Sequence, residues 1–107
     1  MTIEISKDKE MLLLKVNGRL DSTTAPKLEE ALGDLKEIKD LQLDFANLQY
    51  ISSAGLRVLL TSSKVMKKQG NMVIRNVNDE VMNVFTITGF ADILTMERDP
   101  EPDEPKK

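Results

Sequence analysis

The sequence has no cysteine and no histidine in its 107 residues. These absences remove thiol nucleophiles, disulfides, imidazole bases and the usual zinc ligands, and most hydrolase mechanisms are excluded with them. Tryptophan is absent too, and aromatic residues make up 4% of the chain, so Leu, Val, Ile and Met must fill the interior. The composition therefore favours a binding protein without catalytic activity, cofactor or metal.

The chain also lacks a long apolar run. No stretch approaches the about 20 apolar residues of a transmembrane helix, and the first residues have no apolar segment of the kind found in signal peptides. We expect a cytoplasmic protein without direct membrane contact. The net charge of -3 and the scattered basic residues argue against a nucleic acid partner. The basic cluster at Lys64, Lys67 and Lys68 suits the C-terminal end of a helix.

Residues 1–98 have the length and composition of one globular domain. From Asp99 onward, Pro100, Pro102 and Pro105 alternate with acidic residues, a pattern that disfavours helices and strands. We expect residues 99–107 to form an acidic, flexible tail.

The N-terminal segment predicts a β-hairpin. Ile3 and Ile5 alternate with polar residues, residues 7–10 suit a polar turn, and residues 11–16 are mostly apolar. We expect Asn17-Gly18 to end the second strand.

A helix is predicted after the hairpin. Apolar residues at helical spacing form one stripe: Ala25, Leu28, Leu32 and Leu35. Three hydroxyl residues are rival N-caps: Ser22, Thr23 and Thr24. Pro26 fits only a first helical turn. We expect the helix to end near residues 36–39, with Gly33 inside it unless that glycine marks the end.

The chain is organised around residues 41–60, which predict a strand, a tight turn and a helix. Apolar residues alternate over 41–45, whereas three- and four-residue spacing over 56–63 indicates a helix face. Ser52 and Ser53 therefore lie at the junction. A hydroxyl there can cap the new helix, and it also lies where the positive end of the helix dipole meets solvent.

Two patterns in the sequence suggest catalysis but are incomplete. Ser53-Ala54-Gly55 matches half of a nucleophile elbow, but Ile51 stands where the first glycine belongs and no histidine exists to activate the serine. Asp21 and Asp44 are far apart in sequence, so they do not by themselves predict a metal pair. From the residues alone, a serine before an apolar helix is most simply a cap.

The following segment predicts a parallel crossover. Gly70-Asn71 suits the end of the central helix, with Gly70 as the residue just past it, and residues 72–77 suit a strand. A right-handed crossover places this strand beside residues 41–45 or nearly so, with the central helix packed on one face.

A short helix and an edge strand complete the domain. Asn78 or Asp79 can cap a helix that Gly89 ends, and residues 90–96 predict one helical turn followed by a short strand. The expected fold class is α/β. It comprises a mixed β-sheet of four to five strands, built from the N-terminal hairpin and parallel crossovers, with three to four helices packed on it.

Three segments of the sequence carry a resemblance to a known family: Gly18-Arg-Leu-Asp21, Leu43-Asp-Phe-Ala-Asn-Leu48 and Tyr50-Ile-Ser-Ser-Ala-Gly-Leu56. Together they resemble the STAS domain of bacterial anti-sigma factor antagonists, also called anti-anti-sigma factors. The resemblance runs from about Thr2 to Arg98 and implies a single STAS-like domain.

The resemblance implies regulation of transcription by a phosphorylation switch. The unmodified protein binds an anti-sigma factor that is also a serine kinase and so releases the sigma factor, whereas the phosphorylated protein does not bind. A serine phosphatase is the other implied partner. In the family the acceptor is the serine two places before the glycine, which matches Ser53 and ranks it before Ser52. The chain departs from the family at Ser52, where an aspartate is often found. The expected partner-binding residues are Asp21, Ser22, Thr23, Ser52, Ala54, Gly55 and Arg57.

Two other functions remain open at this point. A STAS scaffold that is not phosphorylated, or an accessory subunit of a transport complex, would keep the fold without the switch. A small-ligand or nucleotide-binding domain is a further alternative, although the chain has no Gly-x-x-x-x-Gly-Lys phosphate loop.

Overall fold

Six strands and three α-helices make up the fold in the computed structural model, which describes residues 1–97. The predicted tail, residues 99–107, and Arg98 lie outside the described residues. In chain order the elements are β1 (Thr2–Asp8), β2 (Met11–Leu20), α1 (Ala25–Leu32), β3 (Asp40–Asp44), β4 (Leu48–Ile51), α2 (Ser53–Lys67), β5 (Asn71–Arg75), α3 (Asp79–Thr88), a short 3-10 helix (Phe90–Asp92) and β6 (Thr95–Glu97). Within these residues no helix is both long and apolar enough to cross a membrane.

All six strands belong to one mixed sheet, which confirms the predicted α/β fold class. The strand order is β1-β2-β3-β5-β6, and β4 pairs with β2. The hairpin of β1 and β2 is antiparallel, and the other pairs are parallel. The predicted crossover is confirmed, because β3 and β5 lie side by side in parallel. The described part of the chain has six strands where four to five were expected, and β4 accounts for the difference.

The strand that the sequence pattern does not indicate is β4. It pairs with residues 18–20 of β2. The register shifts within this pairing, so that Gln49 is an extra residue, a β-bulge, opposite β2. The buried residues Leu48 and Ile51 are consequently three positions apart, and the period-two alternation of a strand is lost.

The second hairpin strand continues past its predicted end at Asn17-Gly18. Gly18 has a φ of 100°, a conformation that glycine adopts without strain. The strand runs on to Leu20 because β4 supplies a pairing partner for these last residues. As a result, β2 leads directly into Asp21.

Helix α1 ends earlier than residues 36–39, where the apolar stripe placed its end. Its last residue is Leu32, and Gly33 follows as the C-cap with a φ of 65°. Leu35 and Ile38 are nevertheless buried, because the loop after the helix folds back onto the core. Pro26 lies in the first turn, as predicted. The N-cap position is Thr24, whose side chain makes no capping hydrogen bond.

Gly70 has a role other than the one predicted for the end of α2. It does not have a positive φ, and α2 ends at Lys67, with Lys68 as the C-cap. An added Cβ at Gly70 would lie 2.0 Å from the carbonyl oxygen of Lys39. Gly70 is therefore needed for the close approach of two backbone segments, not for a left-handed turn.

Helix α3 has the ends that the sequence predicts. The Oδ1 atom of Asn78 accepts a hydrogen bond from the N–H of Val81 at 2.8 Å, and Gly89 ends the helix in the left-handed conformation. The Nδ2 atom of Asn78 donates to the carbonyl oxygen of Leu48 at 2.8 Å. Asn78 therefore joins the start of α3 to β4. The helical turn and edge strand expected over residues 90–96 are also present.

The core lies on one face of the sheet, where the buried faces of the helices meet inward-pointing strand residues such as Leu14, Leu43 and Ile74. The opposite face carries a cross-strand row of alternating charge. It comprises Glu4, Lys15, Asp44, Arg75 and Glu97. We call this side of the sheet the open face. Arg75 and Glu97 form an ion pair there, with Nη1 and Oε1 2.9 Å apart.

Candidate functional site

The carboxyl ends of β2 and β4 bring together two loops that are far apart in sequence. Leu20 and Ile51 are register partners in these parallel strands, and the N–H of Ser52 donates to the carbonyl oxygen of Leu20 at 2.9 Å. The loop that begins at Asp21 and the start of α2 therefore leave the sheet side by side. The structure thus brings together Asp21, Ser22, Thr23, Ser52, Ser53, Ala54 and Gly55. We call this group the switch edge.

The two serines of the switch edge differ in environment. Ser53 is the first residue of α2 and is exposed. Ser52 is the N-cap, and its carbonyl oxygen accepts from the N–H of Leu56 at 3.0 Å. The Oγ atom of Ser52, however, is buried and has no hydrogen-bond partner. The expected cap by a serine hydroxyl is therefore wrong for Ser52, and only the Ser53 hydroxyl is well placed for an enzyme to reach.

Gly55 allows the first turn of α2 to lie close to the ends of β2 and β4. An added Cβ at this position would lie 2.7 Å from Cγ of Leu20 and 2.9 Å from Cγ1 of Ile51. Such distances are shorter than van der Waals contact, so no larger residue fits without movement. Ala54 is half-buried beside it, whereas Arg57 is exposed one turn further along α2. The i, i+4 spacing places Arg57 on the same helix face as Ser53.

Asp21 organises the first loop of the switch edge. Its Oδ1 atom accepts from the Thr23 hydroxyl at 2.7 Å, the Thr23 N–H at 3.0 Å and the Thr24 N–H at 3.2 Å. These bonds, led by the Thr23 hydroxyl, hold the pKa of Asp21 below its ordinary value of 3.8, because they stabilise the charged form. Ser22 and Thr23 are exposed at the tip of this loop.

Replacing Asp21 with asparagine is expected to lower the thermal unfolding midpoint at pH 7. The pKa of Asp21 is lower in the folded state than in the unfolded state. Its contribution to stability is therefore present above the unfolded-state pKa and is lost as pH falls through the folded-state pKa. The difference in unfolding midpoint between wild type and Asp21→Asn should therefore narrow below about pH 4. Thermal melts between pH 7 and pH 2 measure it, and Glu30→Gln, at an exposed residue of α1, controls for losing one negative charge. A difference that is the same at every pH would contradict the prediction.

The structure also reveals a pair that the sequence does not signal, Arg19 and Tyr50. They lie opposite one another on β2 and β4, and the guanidinium carbon of Arg19 is 4.3 Å from the centroid of the Tyr50 ring. A cation over an aromatic face at this distance is attracted to it. Sequence reasoning assigns Arg19 to plain surface because the bulge at Gln49, which creates this pairing, is not visible in the sequence.

The acidic residues of the described part of the chain do not gather into a metal site. Within residues 1–97 there is no group of three or more Asp or Glu side chains that could hold an ion. Asp44 instead closes a turn, because its Oδ1 atom accepts from the N–H of Ala46 at 2.9 Å and from Nδ2 of Asn76 at 3.3 Å.

Comparison with known proteins finds similarity along most of the chain. The family model described as the STAS domain matches residues 2–101. The anti-sigma-B factor antagonist of Listeria monocytogenes is 32% identical over 99 residues, which cover 88% of this chain and 86% of that protein.

Solved structures share the fold at lower sequence identity. An anti-sigma factor antagonist from Mycobacterium paratuberculosis matches with a TM-score of 0.79 at 21% identity, covering 95% of this chain and 87% of that one. The Bacillus cell fate determinant SpoIIAA, in its phosphorylated form, matches with a TM-score of 0.67 at 17% identity, covering 94% of this chain and 93% of that one.

Proposed function

Because the chain belongs to the STAS domain family, we propose that it is an anti-sigma factor antagonist, a binding protein that captures an anti-sigma factor and so releases a sigma factor. The name of the Listeria relative supports this role, since the similarity extends over most of both chains. The protein acts by binding and carries no catalytic activity of its own. It has two partners. One is an anti-sigma factor that is also a serine kinase, and the other is a serine phosphatase.

The observation that carries the proposed switch is the contrast between the two serines at the start of α2. A kinase must bring a hydroxyl oxygen into line with the γ-phosphate, which requires an accessible side chain. Ser53 is exposed, whereas the Oγ atom of Ser52 is buried. Ser53 is therefore the phosphate acceptor in this proposal.

The start of α2 can accommodate a phosphate without loss of the fold. The first N–H groups of a helix have no intrahelical acceptor, and the helix dipole favours an anion there. The Ser52 hydroxyl makes no capping hydrogen bond to these groups. The solved structure of phosphorylated SpoIIAA supports the compatibility of this fold with a phosphorylated state. Phosphorylation then acts on the interface, where it adds about -1.5 to -2 charges.

Incubation with an anti-sigma factor kinase from the same organism and ATP tests the switch, with the modified residue mapped by mass spectrometry. We expect one phosphate, on Ser53. Ser53→Ala should abolish the modification, and Ser52→Ala is the matched control that should leave it unchanged. The switch is refuted by a kinase that binds the protein but modifies neither Ser53 nor Ser52, and phosphate on Ser52 alone would overturn the assignment to Ser53.

A further inference from the structure

Arg19 and Tyr50 form an exposed pair next to the switch edge. Both side chains project from the open face, since the following residue on each strand, Leu20 and Ile51, is buried in the core on the other face. Arg19 is two residues before Asp21, and Tyr50 is two residues before Ser52. Each of these two separations is roughly 7 Å along its strand. A protein seated on the switch edge can therefore reach Arg19 and Tyr50.

Tyr50 is unusual among the apolar and aromatic side chains of residues 1–97. Four large hydrophobic residues there are prominently exposed: Ile5, Tyr50, Ile87 and Ile93. Of these, Tyr50 lies on the strand that leads into the switch edge, and 41% of it is exposed. Its backbone is held between the buried residues Leu48 and Ile51, and its ring is held by Arg19. The pair is thus a partly apolar surface, and the contact between guanidinium and ring reduces the side-chain ordering that binding a partner requires.

We infer that Arg19 and Tyr50 form the main docking point for the anti-sigma factor, and that they receive a segment of that partner that carries a carboxylate. This inference rests on the proposed function. Tyrosine and arginine are the residue types enriched among the few side chains that dominate protein interfaces. The pair extends the partner-binding surface from the switch edge onto the open face.

The charges at this end of the molecule indicate why the partner segment is acidic. A guanidinium stacked on a ring still presents its N–H edges, which suit bidentate binding of a carboxylate. The start of α2 adds the positive end of its dipole. The neighbouring carboxylate, Asp21, keeps its negative charge, and its Oδ1 atom accepts hydrogen bonds from Thr23 and Thr24. A phosphate on Ser53 would place negative charge beside this docking point and repel the acidic segment.

Titration calorimetry with the purified anti-sigma factor of the same organism tests the docking point. We expect Tyr50→Ala and Arg19→Ala each to weaken binding by roughly 30-fold, the effect of an interface hot spot. Arg19→Glu should weaken it further, whereas Tyr50→Phe, which keeps the ring, should stay within about threefold of wild type. Because the two residues act as a unit, the double alanine variant should lose less than the product of the two single effects.

Ile87→Ala is the matched control, since Ile87 is 75% exposed and lies roughly 13 Å along α3 from Asn78, the residue that joins this helix to β4. Circular dichroism establishes that each variant keeps the fold. If wild type binds and Ser53→Asp does not, but Tyr50→Ala and Arg19→Glu bind like wild type, the docking point is refuted and the proposed function stands. If wild type itself does not bind the anti-sigma factor, the proposed function fails first.

A second measurement leaves Arg19 and Tyr50 intact. Because the chain has no cysteine, a single cysteine introduced by Gln49→Cys, at the exposed residue beside Tyr50, reports on coverage of this surface. The anti-sigma factor should slow modification of this thiol by roughly tenfold or more, as expected for a group excluded from water at an interface. Ile87→Cys should react equally fast with and without the partner. Equal rates at position 49 would overturn the inference.

Discussion

Replacing Ser53 with aspartate is expected to weaken binding of the anti-sigma factor by roughly 30- to 100-fold, because unfavourable charge at an interface costs several kcal/mol. The substitution places a carboxylate at the first, exposed residue of α2. The fold should be kept, because an acidic residue in the first turn interacts favourably with the helix dipole by about 0.3–1 kcal/mol. Loss of binding with unchanged circular dichroism would show that the charge acts at the contact surface.

Two further variants make this result specific to charge at position 53. Ser53→Ala removes the hydroxyl without adding charge and should bind like wild type, and Ser52→Ala should do the same. Ser52→Ala should also be neutral or slightly stabilising, because it removes a buried hydroxyl that has no partner. If Ser53→Asp loses the circular dichroism spectrum of the fold, the Ser53 side chain is needed for folding and the explanation by charge at the interface is wrong.

Replacing Gly70 with alanine is expected to destabilise the protein by roughly 3 kcal/mol, near the upper end of the usual effect of overpacking. The added Cβ would lie 2.0 Å from the Lys39 carbonyl oxygen and 2.7 Å from its carbonyl carbon, and both are backbone atoms that no side-chain rotation can move. The same carbonyl accepts from the N–H of Asn71 at 2.9 Å, so relieving the clash would break the hydrogen bond that starts β5 beside β3. For a domain of this size the midpoint of thermal unfolding should fall by roughly 10–20 °C.

Gly89→Ala separates this steric effect from the loss of glycine flexibility. Gly89 has a φ of 84°, and an added Cβ would have nothing within 4 Å. Its replacement should therefore cost about 1–2 kcal/mol, the conformational penalty of a left-handed residue. A larger effect at Gly89 than at Gly70, measured by thermal or urea unfolding, would contradict the close-approach explanation.

The sequence predicts the elements whose signals are local. The hairpin, the alternation over residues 41–45, the Asn78 cap and the stop at Gly89 each depend on residues within a few positions of one another, and the structure confirms them. The predictions for the end of α1 and for the role of Gly70 were wrong for a common reason, which is tertiary packing. Leu35 lies in a loop and is nevertheless buried, and Gly70 lies against the backbone carbonyl of a residue distant in sequence.

The sequence by itself determined the fold class, the position of two serines at a strand-to-helix junction, and the absence of cysteine and histidine chemistry. Only the tertiary structure decided how the two serines differ, because the burial of the Ser52 Oγ atom depends on the packing of α2 against the ends of β2 and β4. It also decided that Arg19 stacks on Tyr50, since the one-residue bulge at Gln49 sets which residues meet across the two strands. Register and burial determine the pairing between strands that are some thirty residues apart, and neither can be predicted from a local pattern of residues.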